Sequence, residues 1–172
     1  GGSCGFCMKN SNGMVNLKDP IGNTVHTISW ASSPTEGTSL VEDSSDPAAD
    51  WVESPTLSPG EANQGGTAVG PVYYAGDITI NEVMADAFPS YDNASYPGGE
   101  WVEIYHQGTN AIDLTGYYLS DAAGNMIEFD SDHLIGYTSD LSSMIINPGD
   151  TRIVAVNGST SSGVLNLSLI HI

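Results

Sequence analysis

Positive charge is what this sequence has least of. Lysine and arginine total three in 172 residues, Lys9, Lys18 and Arg152, against 21 acidic residues and a formal net charge of -18. A phosphate backbone is gripped by Lys and Arg displacing counterions, so three scattered cations exclude a nucleic-acid surface. The same anionic excess repels anionic lipid. Partners that suit such a chain are divalent cations, neutral glycans, basic proteins and neighbouring domains of its own chain. Long apolar runs are also missing: nothing approaches the roughly 20 residues of a membrane-spanning helix, which argues against membrane insertion. The opening GGSCGFCMKN has no initiating Met and no apolar stretch of signal-peptide length, so the chain reads as an internal piece of a longer protein. Cysteine is scarce too. Cys4 and Cys7 form a lone C-x-x-C, whereas a zinc site needs two further ligands and a redox motif a β-α-β setting. They read as small strand or turn residues.

Helical periodicity is almost absent, and strand signals take its place. MVNLKDP, NTVHTISW, DITINEVM, EWVEIYH, AIDLTGYYLSD, NMIEFD, SMIINP and TRIVAVNG are rich in β-branched and aromatic residues. Turn clusters separate them, among them Asp19-Pro20-Ile21-Gly22-Asn23, Ala123-Gly124-Asn125 and Asn147-Pro148-Gly149-Asp150. Short strands with turns between them predict an all-β antiparallel sandwich or barrel. Residues 31–76 break the pattern with Pro34, Pro47, Pro55, Pro59 and Pro71 and little alternation. Part of this stretch is expected to wrap a domain surface, anchored by Trp51 and Leu57. Residues 64–76 are expected to form a linker, small and polar at Gln64 to Gly70.

Four stretches carry a resemblance to a known family: Ile80-Asn81-Glu82-Val83-Met84-Ala85-Asp86, Gly99-Glu100-Trp101-Val102-Glu103-Ile104-Tyr105, Ile112-Asp113-Leu114-Thr115-Gly116-Tyr117-Tyr118-Leu119-Ser120-Asp121, and Ile146-Asn147-Pro148-Gly149-Asp150. In this order they resemble the lamin tail domain, prokaryotic secreted type, although the family more often has Trp where Tyr117 stands. Met14 to Val25 with Ile28-Ser29-Trp30 resembles the late strand pair of the same domain. Gly37-Thr38-Ser39-Leu40, Trp51 and Ser58-Pro59-Gly60-Glu61-Ala62-Asn63 resemble its closing segment. The resemblance implies an immunoglobulin-like antiparallel β-sandwich without a shared active site. It divides the chain into the end of one repeat (1–63), the linker (64–76) and the beginning of the next repeat (77–166).

The two pieces are nearly complementary, so the chain is expected to be able to close one sandwich as a circular permutant. The 13-residue connection from Gln64 to Gly76 reaches at most about 45 Å when extended, enough to cross a small domain. In a longer parent protein each half would pair with its own missing part. The last six residues, 167–172, can be read as the translation of a transposon-end adapter, as expected of a metagenomic fragment.

Candidate chemistry is sparse. Glu82, Glu100 and Glu103 are the nearest approach to paired carboxylates, and a glycosidase would need two across a sugar-binding cleft. Glu82 falls in phase with Ile78, Ile80 and Met84, which predicts an inward, backbone-bonded side chain and favours a structural role. Asp121, Asp130, Asp132 and Asp140 are the candidate calcium ligands, and Asp43, Asp46 and Asp50 form a second acidic group. No D-x-D-x-D-G loop accompanies them, so solvated acidic turns are the favoured reading. His26, His106 and His133 stand alone, and no serine sits in a G-x-S-x-G elbow. Tyr73, Tyr74, Tyr91, Tyr96, Tyr117, Tyr118 and Tyr137 could stack on sugar faces, but core filling is favoured. Asn93-Ala94-Ser95 and Asn157-Gly158-Ser159 are glycosylation sequons.

The expectation is therefore a non-catalytic structural or binding module, extracellular or on the cell surface, with no catalytic residues and no cofactor. Protein or glycan partners fit it. A calcium-dependent adhesion or carbohydrate-binding sandwich, and an accessory domain of an extracellular hydrolase or nuclease, are the alternatives.

Overall fold

The computed structural model describes residues 6, 8–41, 51–58, 77–87, 99–129, 144–155 and 165–166. Strands are the only regular elements among them: β1 (Gly13–Lys18), β2 (Thr24–Trp30), β3 (Ser39–Val41), β4 (Val52–Ser54), β5 (Ile78–Met84), β6 (Trp101–His106), β7 (Ile112–Asp113), β8 (Tyr118–Asp121), β9 (Met126–Glu128), β10 (Ile145–Ile146), β11 (Thr151–Ala155) and β12 (Leu165–Asn166).

Alternation makes the strands one-faced or two-faced. In β1 the residues Gly13, Val15 and Leu17 are buried while Met14, Asn16 and Lys18 are half-buried. β2 turns His26, Ile28 and Trp30 inward and leaves Thr27 and Ser29 exposed. Such period-2 burial is what a sheet with one wet face requires. β5 and β6 are buried almost throughout, so both of their faces are covered.

These strands assemble into a four-stranded sheet in the order β2-β1-β8-β9 and a six-stranded sheet in the order β12-β11-β6-β5-β3-β4. β7 and β10 form a separate two-stranded ribbon. Neighbours are antiparallel except β11 and β12, which run parallel through Val154 with Leu165 and Ala155 with Asn166. The main core joins Val15, Leu17, Ile28, Trp30 and Leu119 of the first sheet to Leu40, Ile78, Ile80, Val83, Val102, Ile104 and Val154 of the second. A smaller cluster of Met84, Ala87, Trp101 and Ile153 lies on the second sheet's other face, with Leu57 packed on it. Each such apolar side chain is worth roughly 1.5–3 kcal/mol when fully buried. The anchors expected of the proline-rich stretch are in place: Trp51 packs on the main core and Leu57 on the smaller cluster.

Both sheets are completed across the chain. β1 pairs with β8 from Val15 opposite Asp121 to Lys18 opposite Tyr118. β3 pairs with β5 through Leu40 opposite Val83 and Val41 opposite Glu82. The early strands β1–β4 and the later strands β5–β12 therefore share one sandwich.

One detail departs from the simple alternation of the sequence. β5 pairs with β6 through Ile80 opposite Ile104 and then Glu82 opposite Glu103, with a bulge between Ile80 and Glu82. The extra residue turns Glu82 away from the face of Ile78 and Ile80 and onto the face of Met84 and Trp101.

Candidate functional site

Polar side chains converge on β5. Glu82 is fully buried, and its carboxylate accepts from three donors of the early segment: the Ser39 hydroxyl, the Ser58 hydroxyl at 3.0 Å and the Ser58 backbone N–H at 3.3 Å. Burial pushes its pKa up, and the hydrogen bonds from Ser39 and Ser58 oppose that shift. The expected backbone bond is present, but two side-chain bonds accompany it, and the bulge places Glu82 on the opposite face from Ile78 and Ile80. Ser39 and Ser58 lie 43 and 24 residues away in sequence; the resemblance to the closing segment took in both, but nothing in it paired either with Glu82.

Glu103 sits beside Glu82 in the ladder, fully buried, and accepts from the Asn81 side-chain amide at 2.5 Å. Glu100 lies just before β6 and is half-buried. Glu82 and Glu103 are thus brought together, but inside the fold. The described cleft of about 290 Å³ involves neither; Asp19, Asn23, Thr24, Val25, Asp77, Ile78, Ile112 and Tyr117 line it.

His26 reaches from one sheet to the other. The Ile80 N–H donates to its Nδ1 at 3.1 Å, and the Thr79 hydroxyl lies at the same distance. An acceptor role for Nδ1 requires the neutral ring, and burial lowers the pKa from 6.5 to about 4. His106 is also buried, with Nδ1 2.7 Å from the Asp77 carbonyl and Nε2 2.6 Å from the Asn110 carbonyl. Backbone groups hold both rings. His133 lies outside the described residues.

Asp121 is the one calcium candidate within the described residues; Asp130, Asp132 and Asp140 lie outside them, as do Asp43, Asp46 and Asp50. Its Oδ1 accepts from the N–H groups of Ala123 at 2.8 Å and Asn125 at 2.9 Å, and its Oδ2 from the Asn125 amide at 2.8 Å. These bonds make it the hub of the β8–β9 turn. Among the described residues no three His, Cys, Asp or Glu side chains gather to hold a metal. Arg152, unremarked in the sequence beyond its charge, is buried and donates to the carbonyls of Thr151 at 2.7 Å and Ile145 at 2.6 Å. It thereby ties β11 to β10. Tyr117 lines the cleft, where partial burial and then the charges of Asp19 and Asp77 push its phenol above the ordinary value. Tyr73, Tyr74, Tyr91, Tyr96 and Tyr137, both sequons, Cys4 and Cys7 lie outside the described residues.

The family model described as Lamin Tail Domain matches residues 71–169, more than half of the chain. The chain belongs to the lamin tail domain family. No curated protein and no solved structure matches it. The lamin tail domain is a non-catalytic, immunoglobulin-like β-sandwich, and the two facing sheets are in keeping with that fold. The match takes in β5 to β12 and leaves β1 to β4 outside it, although those strands complete both sheets of this lamin tail domain.

Proposed function

We propose that this lamin tail domain is a non-catalytic spacing and binding module of a larger secreted or cell-surface protein, built from successive sandwich repeats. The observation that carries the reading is the use of Glu82: the buried acid best placed for chemistry is consumed by Ser39 and Ser58 in fastening β3 and the segment after β4 to β5. A rigid sandwich with an anionic skin resists self-association and holds neighbouring domains apart. Segments 1–63 and 77–166 are then parts of consecutive repeats, joined by 64–76. Limited proteolysis of intact cells carrying the parent protein tests the location; release of fragments containing this domain supports it, and protection until lysis overturns it.

The cleft at Tyr117 favours a second reading, a glycan-binding sandwich. An aromatic face beside the polar groups of Asp19, Asn23 and Asp77 is the chemistry a sugar ring needs. A glycan array with the purified chain decides it: retention lost in Tyr117→Ala supports sugar binding, and no retention leaves the spacer. Calcium binding by Asp121, Asp130, Asp132 and Asp140 is tested alongside by titration calorimetry, where saturable heat would add an ion to the module.

A further inference from the structure

The cleft beside Tyr117 joins apolar walls to a negative rim. Val25 of β2, Ile78 of β5 and Ile112 of β7 supply the walls, with the Tyr117 ring beside them. Asp19 enters from the β1–β2 turn and Asp77 from the residue before β5. At about 290 Å³ the cleft lies at the small end of ligand-sized cavities, room for one side chain or one small ring.

Both carboxylates stand on fixed backbone. Asp19 accepts from the N–H groups of Ile21 and Asn23 and from the Asn23 amide. The Asp77 carbonyl accepts from the N–H groups of Gln107 at 2.9 Å and Gly108 at 3.2 Å, and His106 Nδ1 lies 2.7 Å from it. A Cβ on Gly108 would come within 2.7 Å of the Asp77 Cγ, so the glycine leaves that side chain its place. The Asp77 carboxylate itself and the Tyr117 hydroxyl make no hydrogen bond or ion pair among the described residues. Burial and then the charges of Asp19 and Asp77 raise the Tyr117 phenol, so both carboxylates act on one point in the cleft. Lys18 does not neutralise them by contact: its Nζ donates to the Thr24 hydroxyl at 2.9 Å and the Gly22 carbonyl at 3.4 Å.

An apolar wall leading to an aromatic ring and an open carboxylate is complementary to one kind of side chain. An aliphatic stem lies along the wall, and a planar guanidinium both stacks on the ring and bonds the carboxylate by two parallel N–H groups. A neutral ring in the same place would leave both negative charges uncompensated. We propose that this cleft seats an arginine side chain of a basic protein partner, its stem against Val25, Ile78 and Ile112 and its guanidinium at Asp77, between that carboxylate and Asp19. The net charge of -18 draws such a partner from a distance. The inference shares with the glycan reading only the premise that the cleft takes a ligand.

Amide NMR spectra of the nitrogen-labelled chain, titrated with acetyl-Gly-Arg-Gly-amide at low salt, test it. The peptide should shift the signals of Thr24, Asp77, Ile78 and Tyr117 saturably, and added salt should weaken the binding. The same peptide with citrulline, a neutral isostere of arginine, should leave those signals in place. Asp77→Asn should weaken the arginine peptide by about tenfold, the loss of one charge-assisted bond, while signals remote from the cleft stay where they were because the fold is intact. Equal shifts with the citrulline peptide overturn the proposal, as do non-saturating shifts spread over the acidic surface or undiminished binding in Asp77→Asn. Free arginine should bind more weakly than the peptide, since its own carboxylate meets the negative rim; tighter binding would assign the cleft to the amino acid and overturn a protein partner. Glycan retention lost in Tyr117→Ala with no arginine binding sinks this inference alone, and the converse sinks the glycan reading alone.

Discussion

Asp19 and Asp121 hold two turns by the same three hydrogen bonds. Each Oδ1 accepts from the backbone N–H groups two and four residues on, at 3.1 and 2.8 Å for Asp19 and at 2.8 and 2.9 Å for Asp121. Each Oδ2 accepts from the asparagine amide four residues on at 2.8 Å, Asn23 in one turn and Asn125 in the other. Gly22 and Gly124 supply the left-handed residue at φ 93° and 85°, which a side chain rarely tolerates. The equivalence extends into the strands. Leu17 and Leu119 each precede their aspartate by two residues and face one another in the β1–β8 register, so a local two-fold relates the two hairpins.

The two turns should respond unequally to the same change. Asp121 is buried, and Asp121→Ala leaves the Ala123 and Asn125 N–H groups without their acceptor. The expected cost is about 1–3 kcal/mol in urea unfolding. Asp19→Ala should cost less, because water can replace the lost acceptor at that more open turn. Equal losses would show that side-chain bonding, and not burial, governs both.

Acid should weaken the fold through His26. Its folded pKa of about 4 lies below the ordinary 6.5, so its contribution is complete above about pH 6.5 and is lost as pH falls toward 4. The full loss is on the order of 3 kcal/mol at most. His26→Gln keeps an acceptor for the Ile80 N–H but cannot titrate. Urea midpoints measured at pH 7 and pH 4.5 should therefore move closer together in the variant than in the wild type.

Glu82 should act with the opposite sign. Its folded pKa is raised by burial, so the fold is favoured while the acid is protonated, and that advantage is lost as pH rises through the folded pKa. Glu82→Gln removes the ionisation and should gain on the wild type as pH increases from 4 to 8. A stability difference constant across that range would mean that the carboxyl does not titrate differently on folding. Glu82→Ala should be less stable than the Gln variant throughout, having lost the acceptor for Ser39 and Ser58.

Gly13 is required by space. A Cβ there would come within 2.2 Å of the Trp30 ring and 2.7 Å of the Lys9 carbonyl, which itself accepts from the indole N–H at 2.9 Å. Gly13→Ala should cost about 1–3 kcal/mol by overpacking, visible as a lowered melting midpoint and a shifted tryptophan emission. An unchanged midpoint would mean that Trp30 moves aside freely.

The strands were legible where alternation was clean. Val15 and Leu17 in β1, and Ile28 and Trp30 in β2, are inward because successive side chains must point to opposite faces. Asn147-Pro148-Gly149-Asp150 was legible as a turn, and Gly149 indeed has φ 82° with the Asp150 N–H donating to the Asn147 carbonyl at 3.0 Å. Glu82 was legible as buried but not as to its face, because a bulge shifts phase without leaving a mark in composition. Its partners Ser39 and Ser58, and the reach of His26 to Ile80, were not legible, since each joins residues that only the packed sheets bring together.

Local chemistry therefore settled the all-β class, the turns at Asp19, Asp121 and Asn147, and the absence of a cationic surface, since each depends on neighbouring residues or on composition alone. Only the tertiary structure decided that β1 lies on β8 and β3 on β5, and that a bulge commits Glu82 to two distant serines. Pairing between strands roughly 40 to 100 residues apart follows from which edges and apolar faces fit, and that complementarity exists only once the sheets have met.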